Sequence, residues 1–202
     1  MVAEAAAVEA VVVVVAEEGR IKTKYINDIV WKKISGLEFD NQNAELTFSK
    51  RLARENRWPH WYALDVIEEY RKFLYLLQRA KHPVTPSIEV DQVWHLHLTY
   101  SEFYWEDFAK GMPVKPHHGP TRGGSDEDNK FIDWYAKTLE SYEQIFGNKP
   151  PVHIWPSKDE RFRANQSWAW IDVSKHFIID RNAGYVYILF IIFLMILVAT
   201  IF

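Results

Sequence analysis

The chain of 202 residues has no cysteine. That absence excludes disulfides, thiolate zinc sites, iron–sulfur clusters and thiol nucleophiles, and it leaves the redox compartment open. Blocks of one charge are missing too. The 24 Lys and Arg are interspersed with 27 Asp and Glu, for a net charge of −3. Nothing in that pattern is a footprint for a phosphate backbone, so nucleic acid is not an expected partner. The sequence lacks a Gly-x-Ser-x-Gly elbow and the zinc-protease pattern His-Glu-x-x-His,. Its "GPTRGG" run at 119–124 has no Lys-Ser/Thr and follows no predicted strand, which argues against a nucleotide phosphate loop,. There is no internal repeat.

What is abundant is aromatic. Nine Trp, ten Tyr and twelve Phe make up 15% of the chain, enough large side chains to fill a core,. Both ends look different from the middle. Residues 1–20, "MVAEAAAVEAVVVVVAEEGR", form a low-complexity Ala/Val tail. It carries Glu4 and Glu9 but no basic residue before Arg20, the wrong flank for a secretory signal, and its apolar run is too short to span a bilayer,. Residues 183–202, "AGYVYILFIIFLMILVATIF", hold no charge. About twenty apolar residues match a ~30 Å hydrocarbon layer, so a C-terminal transmembrane helix is expected, with Tyr185 and Tyr187 at the interface. Lys175 and Arg181 precede it and nothing basic follows, which places the domain on the cytoplasmic side of a single-pass membrane protein,.

The middle reads as mainly α, a helical bundle domain over 21–151. Lys24 to Ser35 sets Ile26, Ile29, Val30 and Ile34 on one face before Gly36,. A shorter helix covers Leu46 to Asn56, with Leu46, Phe48, Leu52 and Ala53 inward. After Pro59, residues Ala63, Ile67, Tyr70, Leu74 and Leu77 recur at helical spacing, and His82-Pro83 ends the run,. Thr85 and Ser87 offer capping hydroxyls for a helix from Ile88 to Ala109, closed by Gly111 and Pro113,. A Pro/Gly loop at 114–124 leads to Ser125 and a helix whose stripe is Phe131, Tyr135, Leu139, Tyr142 and Phe146,. Residues 152–182 do not read as helix, and 168–179 alternate like a short β segment next to the membrane,.

The candidate site residues lie in "VDQVWHLHLTY", 90–100. His95 and His97 are about 200° apart on a helix and cannot easily share one ion. Asp91 is four before His95, on its face, where the carboxylate can accept the imidazole N–H. Trp94 shares a core stripe with Val90, Leu98 and Ser101. A metal site would take a helix histidine, His95 or His97, one or both of the loop histidines His117 and His118, and a carboxylate such as Glu102 or Asp107,. Three such ligands with an open position would suit metal-assisted hydrolysis. The plainer reading makes His95, with Asp91, a buried polar strut, while His117 and His118 hold the loop.

The run from Arg51 to Phe108, with "HHGPTRGG", "FIDWYAKTLESYEQIFG" and "IWP", resembles the glycine-rich-domain-protein-like family in its bacterial, membrane-anchored form, over about residues 28 to 180. The motif is D-x-x-W-H-x-H, here Asp91, Trp94, His95 and His97, followed by the pair His117 and His118. The resemblance implies a helical domain followed by membrane segments and supplies no biochemical activity. The Ala/Val tail departs from it, as does the missing glycine-rich continuation.

The leading expectation is therefore a helical domain held by the lipid bilayer, without a cofactor, binding a protein or small-molecule partner. Its rival is a metal-dependent hydrolase-like enzyme using zinc or another divalent metal at the histidine cluster.

Overall fold

The computed structural model describes residues 25–119, 125–163, 175, 185, 187–193 and 195–196. After a helical turn at Tyr25 and Ile26, the helix α1 runs Ile29–Ser35. Asp28 caps it, accepting from the Val30 N–H at 2.9 Å, and Gly36 ends it. Because the helix starts at the cap, Val30 and Ile34 set its inward phase, while Ile26 and Ile29 are exposed rather than sharing that face,. Helix α2, Phe48–Asn56, is capped by Thr47 and closed by Arg57 in the left-handed region (φ 57°). Phe48, Leu52 and Ala53 are buried; Leu46 precedes the helix and is only partly covered.

Helix α3, His60–Arg79, is the centre of the bundle. Ala63, Ile67, Tyr70 and Leu74 are buried as their spacing predicts. Val66, Phe73, Tyr75 and Leu76 are buried as well, so the second half of α3, from Glu69 to Gln78, is covered almost all round, while Trp61, Leu64, Asp65 and Glu68 leave one face of the first half exposed. Its neighbours are α1, α2 and two later helices, α4 (Ile88–Thr99) and α5 (Ser125–Phe146). Each large apolar side chain taken out of water here contributes roughly 1.5–3 kcal/mol. The buried charge on α3 is fully answered: Glu69 accepts from Lys72 Nζ (2.7 Å), Tyr142 O–H (2.9 Å) and Trp155 Nε1–H (2.9 Å),.

The expected single helix from 88 to 109 is two pieces. Helix α4 stops at Tyr100, whose backbone leaves the helical region (φ −87°, ψ 62°), and a π-helix covers Phe103–Ala109. Thr99 Oγ1 donates back to Leu96 O at 2.7 Å, and the Tyr100 hydroxyl accepts from Arg51 Nε at 3.0 Å. Both bonds favour the break. Tyr104 and Phe108 are thereby buried. In α5, Tyr135, Tyr142 and Phe146 are buried, with Phe131 and Leu139 partly so. Gly147 follows with φ 75°, a conformation glycine adopts at no steric cost,. A short helix, α6 (Lys158–Arg161), stands where none was expected; Ser157 caps it through Glu160 N–H.

The chain divides into two compact units, Met1–Arg163 and Ala164–Phe202. The first unit's described residues are helical with no strand. The β-like segment expected at 168–179 lies outside the described residues, apart from Lys175 in a turn, and the 1–20 tail lies outside them entirely. The membrane expectation is corrected. Among the described residues no helix is long and apolar enough to cross a membrane. The single-pass assignment, and the cytoplasmic placement that followed from it, are accordingly withdrawn.

Candidate metal centre

Ser87 starts α4 by accepting from the Val90 N–H at 3.2 Å. That start fixes the helix phase, with Asp91 and His95 one turn apart on one side and His97 on the other. The burial is the reverse of the expected strut. His95 is exposed, its side chain 51% accessible, whereas His97 is completely buried. Rings of Phe39, Phe103, Tyr104 and Phe108 enclose His97. Its Nδ1 pairs with Tyr70 O–H at 2.9 Å and its Nε2 has no partner. Burial, helped by the nearby Arg71 charge, holds its pKa down to about 3,. It is a neutral core imidazole set apart from the other histidines.

His118 reaches α4 from the loop after the π-helix. The loop is pinned at three points. Gln78 on α3 bonds both backbone groups of Val114, giving to its O (2.9 Å) and accepting from its N–H (2.8 Å). Trp94 Nε1–H donates to the Tyr104 hydroxyl (3.0 Å), which donates to Pro116 O (2.7 Å). Trp94 also meets the His118 ring edge-on at 4.5 Å. These bonds share one feature: each comes from a buried side chain on a helix, so the loop is held by the packed part of the bundle,.

The result is a convergence of three side chains. Asp91 Oδ1 accepts from His118 Nε2 at 2.9 Å, Asp91 Oδ2 is 3.6 Å from His95 Nε2, and the two imidazole rings are 4.6 Å apart. One ligand atom from each lies within 4.8 Å of the others. Ligands bonded to one tetrahedral zinc stand about 3.3 Å apart, so small side-chain adjustments would close the set on an ion. Two imidazoles and a carboxylate suit zinc or another late first-row divalent ion and leave a coordination position open. His117, the other loop histidine, is exposed and outside this group, 6.2 Å from the Trp105 ring. Glu102 and Asp107 are exposed and outside it as well; Asp91 is the carboxylate present.

Asp91, His95, His117 and His118 line a cleft of about 860 Å³. Leu77, Pro83, Phe131 and Trp134 supply an apolar lining, and Thr85 and Arg161 complete it. Arg161 comes from the short α6 that the sequence did not announce. Its Nε–H donates to Pro86 O at 3.1 Å and its guanidinium lies over the Phe162 ring at 4.9 Å. Burial lowers its pKa, with Tyr135, Asp91 and Glu89 acting the other way. Nothing in the local sequence links Asp91 to His118, 27 residues on, or either to Arg161; only the tertiary packing does.

Two serine–histidine pairs were also not foreseen. Ser49 Oγ–H donates to Asp40 Oδ2 (2.6 Å), leaving Oγ to accept from His60 Nε2 (2.8 Å). With its one proton already on a carboxylate, and only 1% exposed, Ser49 is a structural hydroxyl and not a nucleophile. Ser141 Oγ is 2.7 Å from His82 Nε2, and His82 Nδ1–H gives to Pro83 O at 2.8 Å. This pair has a base orientation compatible with activation, but neither residue lines the cleft.

Over 90 residues the chain is 26% identical to glycine-rich domain-containing protein 1 and 22% identical to glycine-rich domain-containing protein 2, both of Arabidopsis thaliana. Each match covers 42% of this chain and 11% of the relative's own length. No family model matches the chain, and no solved structure does. The two plant matches support a loose relationship to glycine-rich domain proteins.

Proposed function

We propose that this helical domain is a divalent-metal-dependent site for a small molecule, with the ion held by Asp91, His95 and His118. The observation that carries the reading is the meeting of a helix histidine, a loop histidine and a shared carboxylate on the wall of a large cleft. A zinc ion at these ligands would keep an open position for a ligand or a water, and a water on zinc is acidified enough to act as a nucleophile near neutral pH. Metal-assisted hydrolysis is therefore the chemistry such a site is suited to.

Zinc titration calorimetry on chelator-treated protein tests this. One zinc per chain is expected, with affinity lowered at least a hundredfold in His118→Ala and His95→Ala and little changed in His117→Ala. Failure to bind stoichiometric zinc, or equal loss in His117→Ala, would overturn it.

A further inference from the structure

The cleft has a second polar end, formed by residues the metal reading does not use. Arg161 has no carboxylate within ion-pair distance among the described residues, although its guanidinium is partly covered by Tyr135 and Phe162. Thr85, 6% exposed, lines the same cleft, and its Oγ1 is buried without a hydrogen-bond partner. The two are neighbours: Arg161 is tied to the carbonyl of Pro86, the residue after Thr85. A half-covered cation with no carboxylate at ion-pair distance, though Asp91 and Glu89 act on it from farther off, and an orphaned hydroxyl both favour an oxygen-rich anion,.

We propose that the cleft takes a small organic monocarboxylate, its carboxylate between the Arg161 guanidinium and the Thr85 hydroxyl and its apolar body against Leu77, Phe131 and Trp134. The guanidinium fork matches a carboxylate with two parallel N–H bonds. A single charge suits the surroundings better than a phosphate dianion, because Asp91 and Glu89 already bias the field at Arg161 towards the negative,. The aromatic lining supplies the burial that a purely hydrophilic anion would not use. This assignment rests on the same cleft as the metal site and names the class of molecule that the site acts on or senses.

The test is calorimetry on the full chain with 3-phenylpropionate, its uncharged amide and inorganic phosphate, each against chelator-treated and zinc-loaded protein. The acid is expected to saturate the chelator-treated protein, so failure of the metal reading leaves this result standing. The amide should bind at least tenfold more weakly. Arg161→Gln should weaken the acid at least tenfold, Arg161→Lys less, and Thr85→Val about threefold. Should Arg161→Gln fail to fold, the acid–amide comparison on the unaltered protein decides. Equal binding of acid and amide, tighter binding of phosphate, an unchanged affinity in a folded Arg161→Gln, or no saturable binding at millimolar acid would each overturn the proposal.

Discussion

At the residue scale the two motif histidines differ in kind, although only Leu96 separates them. His95 is solvated beside Asp91. His97 is buried in an aromatic cage and held neutral, its pKa down at about 3 against 6.5 when unfolded. Between those values the unfolded chain binds the extra proton, so His97 contributes a stability that is complete above about pH 6.5 and declines as pH falls towards 3. The slope is about 1.4 kcal/mol per pH unit. Urea denaturation of chelator-treated protein from pH 6.5 to 4.5 should show that slope reduced in His97→Phe relative to the parent, whatever the variant's absolute stability. Parallel slopes would refute it. A second local dependence sits at Asp28, which caps α1 and takes both Arg79 Nε and NH2 at 2.7 Å with the Tyr75 hydroxyl at 2.8 Å. The Arg79 guanidinium holds its carboxyl well below the usual range. Asp28→Ala loses cap, fork and hydroxyl partner together and should lower the unfolding free energy by about 2 kcal/mol in urea titrations; a change under about 0.5 kcal/mol would show these bonds to be replaceable by water.

At the scale of elements, the site depends on where a helix stops. The 88–109 pattern reads as one helix because Val90, Trp94, Leu98 and Ser101 keep one face in phase across Tyr100,. Side-chain bonds from Thr99 and to Tyr100 override that rhythm, and the π-helix that follows buries Tyr104, whose hydroxyl then links Trp94 to the loop carrying His118. Gln78 holds the same loop from α3. It touches none of the three candidate ligands, so Gln78→Ala isolates the loop's contribution. We expect zinc affinity to fall about tenfold with helix content unchanged by circular dichroism. Unaltered affinity would mean that the ion itself orders the loop.

At the scale of the whole molecule, the helical character was legible and its connections were not. The cap at Ser87, the inward face of α3 and the stripe ending at Phe146 all follow from local spacing, and the structure has them. The opposed faces of His95 and His97 follow from helix geometry too. Which of them is buried does not, because that depends on Phe39 and Phe108, distant in sequence, packing round His97. The same limit hid the partnership of Asp91 with His118 and the arrival of Arg161 on a four-residue helix. Apolar composition misled at the C-terminus, where hydrophobicity alone suggested a span and, among the described residues, no helix is long and apolar enough to cross a membrane. The central claim is that packing, not proximity in sequence, builds a metal site from Asp91, His95 and His118. An anomalous difference map from zinc-soaked crystals at the zinc absorption edge tests it most directly. The account predicts one peak about 2.0–2.2 Å from a nitrogen of each of His95 and His118 and an oxygen of Asp91. A map with no peak there, and the Asp91–His118 hydrogen bond intact, would contradict it.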